Sequence, residues 1–232
     1  MITATKHLVL LPGLDGTGLL FQPFVEQCLE AEQVTIISYP DNYHIPYSEL
    51  ADFVASQLPK DKDIVLLGES YSGPVAIQLA NRRELNISSL ILVATFSHYP
   101  DSLLKFVSLW LPYKYLLKLP IPDFILKFVC FDKHVNSRIM GLLKTTLGLT
   151  PTAIMAKRMS EGVHIDVRDE LKAISIPCTY IRAKHDKLVS RSASEEIKKI
   201  NNSVDIIEID GPHFILQTRI LECYAVIKTI IK

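Results

Sequence analysis

A serine that could act as a nucleophile stands in Gly68-Glu69-Ser70-Tyr71-Ser72-Gly73. The apolar run Ile64–Leu67 precedes it, and a helical stretch, Pro74–Asn81, follows. A serine at the apex of a sharp strand-to-helix turn lifts its hydroxyl above the sheet edge. Such a turn strains the backbone, so the flanking residues must be small. The helix N-terminus behind it offers oriented N–H groups and a dipole that stabilise a developing oxyanion. Acyl transfer through a covalent serine intermediate is the chemistry this spacing suggests. In the G-x-S-x-G pattern the second glycine is here Ser72, with Gly73 one place later. Serine is still small, so the turn is expected to form. The bland alternative is a strand–turn–helix in which Ser70 only caps the helix.

Other residues with chemical potential fit poorly. Gly13, Gly16 and Gly18 read G-x-x-G-x-G, the reverse of a dinucleotide fingerprint, and no acidic residue ends the next strand near Ser38. Cys28, Cys130, Cys178 and Cys223 lie far apart, with no C-x-x-C and no histidine at zinc-finger spacing. Four reduced, largely buried thiols are expected. Glu69 is expected to be solvated or to cap a turn.

The elements that must position Ser70 follow from hydrophobic runs. Leu8–Leu11, Val34–Ser38, Ile64–Leu67, Leu90–Ala94, Cys178–Ala183 and Val204–Ile209 are short and apolar along most of their length. Helical patterns fall over 19–31, Tyr47–Leu58, Pro74–Asn81, Ala193–Ile200 and from about Phe214. Alternation of this kind implies a parallel sheet covered on both faces, a doubly wound α/β architecture. Residues 97–168 break the rhythm. No strand is evident there, and Leu103–Phe131 is rich in Leu, Phe, Trp110 and Tyr, cut by Pro112, Pro120 and Pro122 into short helices. A chain of 232 residues buries roughly 70–75% of its unfolded surface, enough for one sizeable core.

The strand, elbow and helix around Ser70 resemble the α/β-hydrolase superfamily. Leu10-Leu11-Pro12-Gly13-Leu14 stands where that family has its first oxyanion loop, with Pro12 replacing a common histidine. The resemblance implies that the backbone N–H groups of Leu14 and Tyr71 form the oxyanion hole. It also implies a triad in the order Ser, Asp, His, each after a strand. Asp186, in Ala183-Lys184-His185-Asp186-Lys187-Leu188-Val189, fits the acid; His213, in Asp210-Gly211-Pro212-His213-Phe214, fits the base. His185 is adjacent to Asp186, whereas a triad histidine comes from a separate loop. His7 lies at a strand start, the wrong edge. His44, His98, His134 and His164 have no matched partner and are expected on the surface or in the cap. Only about six residues precede the first strand, so the family's leading β-hairpin is expected to be missing or vestigial. Six mainly parallel strands should remain.

The resemblance implies a serine hydrolase with no metal or organic cofactor, built from a core over 1–96 and 169–232 and a helical cap over 97–168. It is similar to small bacterial carboxylesterases, including those that demethylate pimeloyl-acyl-carrier-protein methyl ester in biotin synthesis. Thioesterase or acyltransferase chemistry with the same triad stays open, as does a non-catalytic binding role on the same scaffold. Charge sharpens the substrate question. The chain carries 25 Lys and Arg against 25 Asp and Glu, but residues 101–168 hold ten against five and the remainder 15 against 20. A basic, apolar cap on an acidic body would attract an acidic carrier protein or an anionic surface, unless the excess is only a solvated face. Net neutrality argues against nucleic acid as a partner. No stretch approaches the roughly 20 apolar residues of a membrane span, and Leu8–Leu11 is too short for a signal-peptide core, so a soluble cytoplasmic protein is expected.

Overall fold

The computed structural model describes residues 6–30, 33–99, 122–132 and 135–232. Six strands form one sheet: β1 (His7–Leu11), β2 (Val34–Ile36), β3 (Ile64–Glu69), β4 (Ile87–Val93), β5 (Cys178–Ala183) and β6 (Asp205–Ile209). Their order is β2-β1-β3-β4-β5-β6 and every pairing is parallel. The expected sheet and its strand number are therefore found. The direction of winding reverses between β1 and β3, which makes a crevice beyond their carboxyl ends the natural ligand site. Leu11 lies opposite Gly68 in the register, so the loop after β1 and the turn after β3 leave the sheet side by side.

The central runs Leu8–Leu11, Ile64–Leu67 and Leu90–Val93 are apolar throughout because both faces are covered. Val9, Leu11, Leu66, Leu90 and Leu92 face one layer, built from α2 (Tyr47–Gln57), α3 (Gly73–Ala80), α7 (Arg168–Ala173) and α8 (Arg191–Ile200). Leu8, Leu10, Val65, Leu67 and Ile91 face the other, where α1 (Gln22–Cys28), α9 (Ile215–Thr218) and α10 (Ile220–Ile231) contribute Phe24, Leu216, Cys223 and Ile227. Alternation along each central strand thus feeds two separate apolar layers. Among the described residues, no single helix is long and apolar enough to cross a membrane.

Residues 122–162 carry three further helices, α4 (Asp123–Cys130), α5 (Ser137–Leu149) and α6 (Thr152–Gly162). Leu126, Phe131, Ile139, Met140 and Leu143 make a third apolar cluster with Leu20, and Phe214 packs against it. Asn136 starts α5 by accepting the Ile139 N–H at 2.8 Å, the usual role of an N-cap asparagine. The expected helical pieces around Trp110, Lys105, Lys114, Lys118, Pro112 and Pro120 lie outside the described residues.

Several element limits differ from the sequence reading. The stretch 19–31 is a short 3₁₀ turn, Leu19–Phe21, followed by α1, because Pro23 suits only the first turn of a new helix. The last helical stretch is two helices that meet at Arg219, whose backbone leaves the helical region (φ −128°, ψ 51°). Its guanidinium bonds the Asp210 carbonyl at 2.8 Å and Asp132 at 2.7 Å.

Candidate active site

Ser70 sits where β3 gives way to a 3₁₀ turn, and its φ is +50°. A left-handed conformation in a non-glycine residue costs about 1–2 kcal/mol, and the surroundings hold it. Thr95, after β4, donates its hydroxyl to the Ser70 carbonyl. Gly73 allows that contact: a Cβ there would stand 1.9 Å from Thr95 Oγ1. Ser72, the departure from the usual glycine, is fully buried and bonds both Tyr39 Oη and the Pro12 carbonyl. The extra hydroxyl therefore ties the elbow to the loop after β1.

Asp186 and His213 reach Ser70 from two loops that are sewn together. The Lys184 N–H donates to the Ile209 carbonyl at 3.0 Å, and the His185 N–H to the Gly211 carbonyl at 2.9 Å. Asp186 Oδ1 accepts the N–H groups of Leu188 and Val189, both at 2.8 Å. Its Oδ2 lies 2.8 Å from His213 Nδ1, and His213 Nε2 lies 3.1 Å from Ser70 Oγ. A carboxylate can only accept, so Nδ1 carries the imidazole proton and Nε2 is free to accept the Ser70 hydroxyl. The His213 and Asp186 side chains are 4% and 5% exposed, which strengthens the pair by lowering the local dielectric. Phe214 stands edge-on to the imidazole at 5.4 Å. Three residues expected to act together thus form one hydrogen-bonded chain.

The loop after β1 completes one side. A Cβ on Gly13 would lie 3.9 Å from Ser70 Cβ, and Leu14 and Tyr71 line the same cavity as Ser70 and His213. This loop is held from above by Arg158 of α6, which is 4% exposed. Arg158 Nη1 donates to the Leu14 and Asp15 carbonyls at 3.0 and 2.7 Å, and Nη2 to the Pro40 carbonyl at 3.0 Å. Thr150 Oγ1 also donates to the Asp15 carbonyl, at 2.8 Å. Gly16 (φ +74°) leaves room for the guanidinium, which a Cβ would meet at 2.4 Å. Arg158 was not legible as a site residue. The available signal was a lone cation in a helical apolar stripe with Met155, Met159 and Gly162.

The cavity over Ser70 holds about 420 Å³ and is mostly apolar, with Leu20, Leu126, Leu143, Met155 and Phe214 among its walls. A larger cleft of about 620 Å³, between α1, the start of α5 and α10, contains none of Ser70, Asp186 and His213. Among the described residues no group of three or more His, Cys, Asp or Glu is arranged to hold a metal.

Three expectations need correction. Glu69 is neither solvated nor a cap: it is 3% exposed beneath the site, and Gln217 Nε2 donates to its Oε1 at 3.1 Å. Burial pushes its carboxyl up to about 7 from 4.5, against smaller opposing effects of Gln217 and His213. His44 is partnered, with Nε2 3.0 Å from Glu161 Oε1, and His98 Nε2 lies 3.3 Å from Glu196 Oε2. His98 is buried and His44 half-buried, and helices α6 and α8 supply the acids that meet them. His164 is exposed, and His134 lies outside the described residues.

The raised Glu69 carboxyl has a measurable consequence. Between about pH 4.5 and 7 the folded protein keeps a proton that the unfolded chain has lost, so stability falls as pH rises through that window. The ionised form then costs up to about 3 kcal/mol above it. Glu69→Gln, which keeps the contact to Gln217, is expected to melt higher than wild type at pH 8 and equally at pH 4.5. Thermal melts across that range check this, and parallel curves for the two proteins would refute it.

The fold and this constellation define an α/β hydrolase. The family model described as serine aminopeptidase, S33, matches residues 35–207, and the chain belongs to that family and is a hydrolase. It is 28% identical over 205 residues to the pimeloyl-[acyl-carrier protein] methyl ester esterase of Pseudoalteromonas atlantica, spanning 79% of this chain and 77% of that one. Among solved structures it resembles the esterase EaEST from Exiguobacterium antarcticum (TM-score 0.77, 17% identity, 97% and 91% of the two chains). MenH from S. aureus is similar too (TM-score 0.79, 17% identity, 97% and 92%).

Proposed function

We propose that the protein is a serine carboxylic ester hydrolase that works through an acyl-enzyme, with Ser70 as nucleophile, His213 as base and Asp186 as its orienting acid. The observation that carries this is the Asp186–His213–Ser70 chain, at 2.8 and 3.1 Å, opening into an apolar cavity. His213 Nε2 takes the hydroxyl proton as Ser70 Oγ attacks the acyl carbonyl. The backbone N–H groups of Leu14 and Tyr71 receive the developing oxyanion, and Arg158 keeps the Leu14 loop in register. Collapse expels the alcohol, which leaves with the proton held on His213. Water then enters, gives its proton to His213 and releases the acid by the same route in reverse. No step calls on a metal or organic cofactor.

The substrate class we assign is an acyl methyl ester presented by an acidic acyl carrier protein. Two things support it: the curated relative's activity on such an ester, and the excess of ten basic over five acidic residues in 101–168. Residues 97–168 would then be the cap that roofs the cavity and meets the carrier, acting in the cytoplasm. The test is hydrolysis of one methyl ester offered free and on acyl carrier protein, beside the matched thioester. The carrier-linked ester is expected to turn over at least tenfold faster at low salt, with the advantage shrinking as salt rises. Equal rates on free and linked ester would reject the carrier, and faster thioester cleavage would reject the ester assignment.

A further inference from the structure

Ser70 and His213 leave the sheet from strands that are not neighbours. β3 carries Ser70 at its end and β6 precedes His213, with β4 and β5 between them in the sheet. Among the described residues, β3 pairs with β1 and β4, and β6 with β5, so the two segments share no ladder. His213 is well fixed to the loop after β5, through Asp186 and the bonds that sew the two loops together. Its distance from Ser70 is otherwise set through two intervening strands and their loops, and each adds its own play.

One buried side-chain pair bridges that gap. Glu69, the residue before Ser70, accepts at Oε1 from Nε2 of Gln217, four positions after His213, at 3.1 Å. The same nitrogen lies 3.5 Å from Glu69 Oε2. The two residues are 3% and 1% exposed, and a hydrogen bond shielded from water is the stronger for it. Each partner is held close to the group it flanks. Glu69 is the last residue of β3 and lies opposite Val93 of β4. Gln217 is in α9, whose Ile215 N–H donates to the His213 carbonyl at 2.8 Å, and Ile215 and Leu216 are fully buried. A shift of the His213 loop against the elbow must therefore stretch the Glu69–Gln217 bond. Packing alone gives no reason for this pair. Burial resists ionisation of Glu69, and Gln217 Oε1 has no partner among the described residues. Two apolar side chains of similar volume would carry neither cost.

We propose that Glu69 and Gln217 are positioning residues, a buried strut whose hydrogen bond holds His213 at proton-transfer distance from Ser70. The strut rests on the ester-hydrolase reading and adds what sets its geometry. Both side chains act through Ser70 and His213 and take no part in the bond changes. Proton transfer needs the two atoms within hydrogen-bond reach, so a loosened strut slows the chemical step and leaves substrate binding alone.

The experiment measures hydrolysis of p-nitrophenyl butyrate and the rate at which a fluorophosphonate labels Ser70. The double variant Glu69→Leu/Gln217→Leu leaves no buried polar partner behind, so it is expected to fold and to melt no lower than wild type. Its kcat and labelling rate should still fall by about 10²-fold, with KM nearly unchanged, the effect of a misplacement of about 1 Å. Gln217→Leu alone should lose as much rate, and it decides the matter if the double variant does not fold. Glu69→Leu should also be slow, and the conservative Glu69→Gln, which still offers Gln217 an oxygen, should recover most of that rate. Wild-type rates in the folded double variant, or in Gln217→Leu, overturn the strut. So does a loss in Glu69→Gln equal to that in Glu69→Leu. A wild type that is labelled but hydrolyses no ester overturns the ester-hydrolase reading, while the labelling rates still decide the strut.

Discussion

Ser70→Ala is expected to lower kcat on any ester substrate by roughly 10⁴–10⁶-fold while leaving the fold intact. The atom removed is the one proposed to form the acyl bond, and it lies 3.1 Å from His213 Nε2. Nothing nearby replaces it: Ser72, two residues on, is buried with its hydroxyl committed to Tyr39 and the Pro12 carbonyl. The backbone at position 70 should hold, because Thr95 grips the main-chain carbonyl and not the side chain. A fluorophosphonate probe is accordingly expected to label wild type and not the variant, with similar melting temperatures. Substrate affinity should change little, since cavity walls and oxyanion loop are untouched. A folded wild-type protein that resists the probe would remove Ser70 as nucleophile. So would an alanine variant retaining a tenth of the activity.

How much of this was readable from residue order depends on where each residue's partners lie in the chain. β1 and the apolar stretches Ile64–Leu67 of β3 and Leu90–Val93 of β4 were legible because both their faces are buried, whereas the start of β4 at Ile87 was not, because Ser88 and Ser89 interrupt the apolar run. β2 ends at Ile36 and not at Ser38, whose hydroxyl donates to the Thr17 carbonyl. The positions of Ser70, Asp186 and His213 were legible because each follows a strand, and strand ends are local signals. The depth of Glu69 was not. A charged residue after an apolar run looks the same whether Gln217, 148 positions later, stands over it or water does. Arg158 escaped for a like reason: its acceptors are main-chain carbonyls at positions 14, 15 and 40, and a carbonyl has no residue type to recognise.

Asp186→Asn provides a test in which shape is kept and only proton placement changes. In the wild-type loop, the Leu188 and Val189 N–H groups both point at Oδ1, each at 2.8 Å. An asparagine side chain must offer its carbonyl oxygen to that pair, because an amide NH₂ cannot accept from them. Its NH₂ is then placed where Oδ2 was, facing His213 Nδ1 at about the wild-type 2.8 Å. A donor now meets Nδ1, so Nδ1 must accept and the imidazole proton moves to Nε2. That nitrogen, 3.1 Å from Ser70 Oγ, then presents an N–H to the hydroxyl and cannot take its proton. The loss expected is about 10⁴-fold in kcat at neutral pH, with KM little changed, as a wrong tautomer leaves binding and the oxyanion donors in place. Melting temperature should fall only slightly, because both backbone bonds to position 186 survive. Nitrogen-15 spectra of His213 report the outcome directly: the protonated nitrogen should switch from Nδ1 to Nε2. If the proton stays on Nδ1 while activity is lost, the acid acts through its charge alone. If both tautomer and rate persist, Asp186 is not the residue that orients His213.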